Sequence, residues 1–253
     1  VHVHATSYDR GDEKHIDTRV LDIETRGMQA ADRVVTVSDL TRNIVINKYG
    51  IDPAKVVTVH NAVDFSGREN LEVERGVRDK VVTFLGRITF QKGPEYFIDA
   101  AAKVLKRTSN VRFVMAGSGD MMNRAISQVA RLGIADRFHF TGFLRGMDVQ
   151  KMFALSDVYI MPSVSEPFGI SPLEAMRTGV PSIISYQSGA AEVLKYALKV
   201  DFWDVDALAD DIYALVTYPA LTSFASKQGF DEVNALKWNG ATAKLKKVYE
   251  SLV

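Results

Sequence analysis

An α/β protein built on doubly wound parallel sheets is what the sequence predicts, and three observations carry that expectation. Short β-branched runs alternate with longer amphipathic segments along most of the chain. The runs are mostly apolar, as strands covered by helices on both faces should be. The alternation breaks once, over residues 61–79, where Asp64, Gly67, Arg68, Glu69 and Asn70 crowd into a stretch that reads as a linker between two domains. A partial sheet before residue 61 and a complete one over residues 80–185 are therefore expected.

In chain order, Val1-His-Val-His reads as a buried strand rather than a start, and residue 1 is expected to lie inside a longer protein. Further strands are expected at 33–37, 56–60, 80–85, 111–116, 137–141, 158–161 and 181–185. Helices are expected at 17–31, 40–48, 94–106, 121–132, 147–155 and 170–178. From Asp204 onward the pattern is helical, over 205–216, 222–233 and 236–252. Ser38 and Asp204 are suited to N-caps, and Gly133 to a helix end.

The composition narrows the function classes. Lys+Arg and Asp+Glu are both 31, so no net field draws the chain to nucleic acid or to an anionic membrane. With 47% hydrophobic and 25% charged residues in 253, the chain has the makings of a core for one large domain or a domain and a half. Cysteine is absent, which excludes disulfides, thiolate metal sites and cysteine nucleophiles and fits cytoplasmic residence. No apolar run has the length of a membrane span, and no signal peptide is visible.

The densest chemistry lies in Ser165-Glu-Pro-Phe-Gly-Ile-Ser-Pro-Leu-Glu-Ala-Met176. This reads as a loop turning into a helix, with Ser171 as N-cap and Pro172 at the first helical position. Glu166 then stands on the loop without a local partner, Glu174 one turn in, and the amides of Gly169, Ile170 and Ser171 point outward as an anion site. Two ordinary readings compete: a capping box joining Ser171 and Glu174, and a plain loop acid at Glu166. After the expected strand at 80–85 come Arg87 and Lys92, bracketed by Gly86 and Gly93. At a strand's carboxyl end these cations suit a diphosphate, or else form a solvated basic loop. Gly117-Ser-Gly119 suits a phosphate or another close approach, but lacks a dinucleotide fingerprint. Asp204-Val-Asp206 is better explained by capping than by metal. The five histidines show no metal-ligand spacing on a helix face, and His139 reads as structural. His4 ends a strand, where it can face a substrate or cap its loop.

Together these pieces resemble the family 4 retaining glycosyltransferases of the GT-B fold, relatives of glycogen and starch synthases. The matching residues run in order: His4, Ser38, Asn61, Gly86-Arg87, Lys92-Gly93, Ala116-Gly-Ser-Gly119, Phe140-Thr-Gly142, Pro162-Ser163, Glu166-Pro-Phe-Gly through Glu174-Ala-Met, Gly179-Val-Pro181 and Trp238. The resemblance implies the C-terminal part of an acceptor domain (1–66), a complete Rossmann-like donor domain (67–235) and a last helix (236–253) returning to the acceptor domain. It implies that Arg87 and Lys92 hold the donor diphosphate, with Gly117 and Gly119 nearby. Glu166 would bond sugar hydroxyls beside Phe168, and the Gly169, Ile170 and Ser171 amides would meet the distal phosphate. Glu174 would take the ribose, Gly142, Phe143 and Leu144 would line the base, and His4 would face the reacting carbon from the acceptor side.

The implied activity is transfer of a hexose from a nucleoside diphosphate sugar to a hydroxyl of a glycan or glycolipid, with retention. No metal or other cofactor is implied, because the cations and the helix start can meet the departing charge. Two departures stand out: Gln187-Ser-Gly-Ala-Ala191 replaces a Gly-Gly turn, and the glycine-rich loop of the acceptor domain is missing. The alternatives are a nucleotide-sugar binding module without transfer and a sugar-nucleotide epimerase on the same fold.

Overall fold

A computed structural model describes residues 1–10, 16–63 and 73–252. The expected domain boundary near residue 66 and most of the expected linker fall outside the described residues. Before it lie β1 (His2–Val3), α1 (Ser7–Arg10), α2 (Thr18–Ala30), β2 (Val34–Thr36), α3 (Asp39–Asn47) and β3 (Val56–Thr58). The three strands form a parallel sheet in the order β1-β2-β3, with Val35 opposite both His2 and Val57.

The second unit holds β4 (Lys80–Leu85), α4 (Pro94–Leu105), β5 (Val111–Ala116), α5 (Met122–Arg131), β6 (Phe138–Gly142) and α6 (Met147–Leu155). It continues with β7 (Val158–Met161), α7 (Ser171–Arg177), β8 (Ser182–Ser185), α8 (Ala190–Val193) and β9 (Leu198–Val200). Its six strands are all parallel, in the order β6-β5-β4-β7-β8-β9. Among the described residues no strand pairing joins the two sheets. The chain closes with α9 (Val205–Thr217), α10 (Pro219–Ala235) and α11 (Trp238–Glu250).

Local sequence explains the element ends. Ser38 caps α3, its Oγ accepting from the Thr41 amide at 3.0 Å, and Asp204 caps α9 through the Ala207 amide at 2.9 Å. Gly133 ends α5 at φ +70°, a left-handed conformation that suits glycine. The strand β9 and the short helices α1 and α8, absent from the sequence reading, are three or four residues long, too short to show a period.

Two cores sandwich the larger sheet. Phe84, Phe97 and Phe113 lie on the side covered by α4, α5 and α9, all at most 2% exposed. Tyr159, Leu173, Met176 and Ile184 fill the other side, with α6, α7, α8 and the Val233 end of α10. The last helix, α11, packs elsewhere: Ala241, Leu245 and Val248 cluster with Val35 and Val59 of the first unit.

Candidate functional site

In the larger sheet the strand order reverses at β4, with β5 and β6 on one side and β7, β8 and β9 on the other. The loops after β4 and β7 therefore diverge from a switch point, the place where a doubly wound sheet opens a crevice. The first carries Arg87 and Lys92, the second Glu166 and the start of α7.

Backbone contacts fix these loops against one another. The Val164 amide donates to the Gln91 carbonyl at 2.8 Å, clasping the β7 loop to the β4 loop. Gly93 sits at φ +64°, and a Cβ there would lie 2.1 Å from the Pro162 carbonyl oxygen, so the junction demands glycine. Gly117 and Gly119 face the same constraint. A Cβ on either would fall 1.8 Å from the Gly86 oxygen or 2.3 Å from the Ile88 oxygen. The close approach that these glycines permit is thus backbone on backbone, between the loops after β5 and β4.

Lys92 forms an ion pair with Glu166, and both side chains are largely buried. The sequence reading leaves Glu166 without a local partner; the fold supplies one from the neighbouring loop. The Glu166 amide also donates to the Gln187 carbonyl, and its own carbonyl accepts from the Gly189 amide, both at 2.9 Å. Arg87 joins the group through Gln91, donating from Nη2 to Oε1 at 3.0 Å. Thr89, between the two cations, keeps a buried hydroxyl without a hydrogen-bond partner among the described residues.

The helix start departs from expectation by one residue. Ile170 is the N-cap of α7, and Ser171 is its first helical residue. The Ser171 hydroxyl is 2.7 Å from the Tyr159 hydroxyl instead of capping the helix. Burial pushes the Tyr159 phenol well above its ordinary pKa, and the carboxylates of Glu166 and Glu174 push the same way, against the Ser171 hydrogen bond. Both glutamates thus push the pKa of one buried hydroxyl upward, on β7 in the interior of the sheet. Tyr159 is a residue the sequence reading misses, although a lone phenol in an all-apolar strand is a signal in itself. Phe168 is buried in the core, and Gly169 turns at φ +91° beside Met161.

Gly142 turns at φ +74°, and its carbonyl accepts from the Gly117 amide at 2.8 Å. Phe143 after it is 62% exposed with the Arg145 guanidinium 5.0 Å from its ring centre, whereas Leu144 packs inward. His139 is exposed and, with Leu144, lines a groove of about 670 Å³ beside α6. Asp206 pairs with Lys103, and Asp204 is the cap described above.

The first unit meets this site at two places. His4 stacks on His2 with ring centres 6.5 Å apart, two residues before Thr6. Asp9 accepts hydrogen bonds from Thr6 and from Ser165, the neighbour of Glu166. At the second place Glu192 of α8 reaches across to α3. Its carboxylate accepts from the Asp39 and Leu40 amides at 2.8 and 2.7 Å and sits 2.7 Å from His60 Nε2. Asp39, His60 and Glu192 bring three potential metal-ligand atoms within 4.8 Å, a convergence from separate elements that sequence spacing does not show. The two amides on Glu192 give that carboxylate a complete role as a helix cap.

The two parallel sheets and their topology thus define a GT-B-type fold. The description "Glycosyl transferases group 1" matches residues 68–229, and "Glycosyltransferase Family 4" matches residues 1–66. The chain belongs to the group 1 glycosyltransferases. An uncharacterized glycosyltransferase of Methanocaldococcus jannaschii is 37% identical over 175 residues, which cover 65% of this chain and 45% of the relative. The D-inositol 3-phosphate glycosyltransferase of Kribbella flavida is 30% identical, over 85% of this chain and 55% of its own. The chain spans about half the length of these curated relatives. Among solved structures, sucrose-phosphate synthase from Thermosynechococcus elongatus superposes with a TM-score of 0.82 at 21% identity, covering 99% of this chain and 67% of its own. Anabaena HepE, solved in complex with UDP and glucose, gives 0.84 at 20% identity, covering 99% and 71%. At these identities the structural likeness speaks to the fold. No helix among the described residues is long and apolar enough to cross a membrane.

Proposed function

We propose that this chain binds a nucleoside diphosphate sugar in the crevice between the β4 and β7 loops and contributes the donor side of a retaining hexosyl transfer to a hydroxyl. The observation that carries the proposal is the Lys92–Glu166 pair at the switch point, with Arg87, Tyr159 and the start of α7 around it. A cation and a carboxylate held side by side can divide a sugar diphosphate between them. Lys92 and Arg87 meet the phosphates, and Glu166 accepts from sugar hydroxyls. Complexes of the structural neighbour HepE with UDP and UDP-glucose support a donor of that class.

In this reading Arg87 exchanges its Gln91 partner for a phosphate oxygen, and Lys92 shifts from Glu166 toward the diphosphate as the donor enters. The first turn of α7 leaves amides without intrahelical partners, and these face the same anion. Glu174 takes the ribose hydroxyls, and the exposed Phe143 offers a ring to the base. These fixed charges stabilise the departing diphosphate, and a donor of this kind commonly accounts for about 10²–10³ in rate. A divalent metal has no assigned part in this scheme. The residues 1–66 contribute the adjoining acceptor side, with His4 facing the reacting carbon, and α11 completes that side. The acceptor is a hydroxyl of a glycan or glycolipid, and the site works in the cytoplasm.

The half-length match to the relatives favours one second reading, donor binding without turnover by this chain alone. Thermal shift against UDP, UDP-glucose and other sugar nucleotides tests the shared core. A ligand at 100 times its Kd adds about 2.7 kcal/mol, and no shift with any sugar nucleotide would remove both readings. A transfer assay with detection of free UDP then separates enzyme from binding module.

A further inference from the structure

We propose that Asp9 is a positioning residue that holds the His4 segment and the Glu166 loop in one register across the cleft. Asp9 is 2% exposed, and a carboxylate so buried must have its oxygens filled. Two donors come from its own segment: the Thr6 amide at 2.7 Å and the Thr6 hydroxyl at 2.8 Å, both to Oδ2. These suffice for a local turn. The third donor comes from the other unit, Ser165 Oγ to Oδ1 at 2.8 Å. Thr6, itself 1% exposed, follows His4 by two residues, and Ser165 immediately precedes Glu166. One buried carboxylate therefore links the residues offered above as the two faces of the reacting sugar.

The neighbours of Ser165 show why this link matters. Val164 is held by the Gln91 carbonyl and Glu166 by Gln187 and Lys92, all within the larger unit. Ser165 stands between them and is held from the first unit. Three consecutive residues are thus anchored to three different segments, and the middle anchor alone reports where the first unit lies. Asp9 touches no proposed ligand and acts through Ser165.

The inference rests on the donor-site reading, and the test separates the two. Asp9→Ala removes a buried group and risks misfolding, so Ser165→Ala and Ser165→Thr carry the test, with the second keeping the hydroxyl. In the ligand-free chain, hydrogen exchange of the Val164 and Glu166 amides should quicken about three- to tenfold in Ser165→Ala, the range one hydrogen bond commands, and return to wild type in Ser165→Thr. By calorimetry, UDP should bind all three proteins within about twofold, while the preference for UDP-glucose over UDP falls about three- to tenfold in Ser165→Ala only. Unchanged exchange in Ser165→Ala overturns the proposal whether or not any nucleotide binds. Equal losses in the Ala and Thr variants overturn it too. Failure of the wild-type chain to bind UDP strikes the donor-site reading instead, and the exchange rates alone then decide the role of Asp9.

Discussion

Lys92 and Glu166 are counter-ions drawn from loops 74 positions apart, and each keeps the other soluble in a place from which water is largely excluded. Taking one away leaves a charge without its partner. Glu166→Gln should accordingly lower stability by about 1–3 kcal/mol in urea unfolding and weaken UDP-glucose without weakening UDP. A loop acid without a partner would cost almost nothing in folding, so the unfolding midpoint decides between the two. Lys92→Met should do the reverse for ligands, weakening UDP itself; unaltered UDP affinity would take Lys92 out of the diphosphate site. A second carboxylate, Asp211 on α9, behaves differently. Burial, helped by neighbouring Asp210, pushes its pKa up from 3.8 to about 6. The folded state then holds that proton more tightly than the unfolded chain. Its contribution to stability is full at low pH and is lost as pH rises from about 4 through 6. Asp211→Asn should therefore raise Tm at pH 7.5 and leave it unchanged near pH 3.5, as differential scanning fluorimetry at both pH values would show.

Between elements, the contacts that matter are made by residues with little to announce them in the sequence. Gly189 has ordinary helical dihedrals, yet a Cβ on it would fall 2.3 Å from the Pro167 oxygen and 2.6 Å from Ser38 Cβ. There the paired-acid loop, the α8 turn and the cap of α3 close on one another. Gly189→Ala should cost about 1–3 kcal/mol by overpacking, measured by chemical unfolding; a neutral result would mean that the two units yield freely at this seam. The strands at 80–85, 111–116 and 158–161 were legible to the residue, because each is a mostly apolar, largely buried run flanked by polar or turn residues. The position of Arg87 and Lys92 just after β4 was legible too, since both follow the expected strand at 80–85; the ion pair of Lys92 with Glu166 was not. What escaped depends on tertiary approach. The Ser171 hydroxyl was drawn from the cap position by Tyr159, and Gly117 and Gly119 answer to a neighbouring backbone. Glu192 and His60, 132 positions apart, share no local pattern.

At the scale of the whole chain, Glu192 stitches α3 to α8, and Asp9 stitches α1 to the loop after β7. With two such stitches the units should melt together. Wild type should show one calorimetric transition, and Glu192→Ala, which uncaps α3 and leaves His60 without its carboxylate, should broaden or split it. A single sharp transition in that variant would show that the remaining contacts suffice. The last helix adds a topological fact. Because α11 lies on the first sheet, where Tyr249 OH is 2.9 Å from His2 Nε2, the chain passes from one unit to the other once before β4 and once again between α10 and α11. A body joined to another by a single thread can swivel in every direction. One joined by two threads is confined to rocking about the line between them, like a door on two pins. Cutting either thread would leave the halves attached but with fewer covalent constraints on their relative orientation, so the double crossing itself restrains the pair.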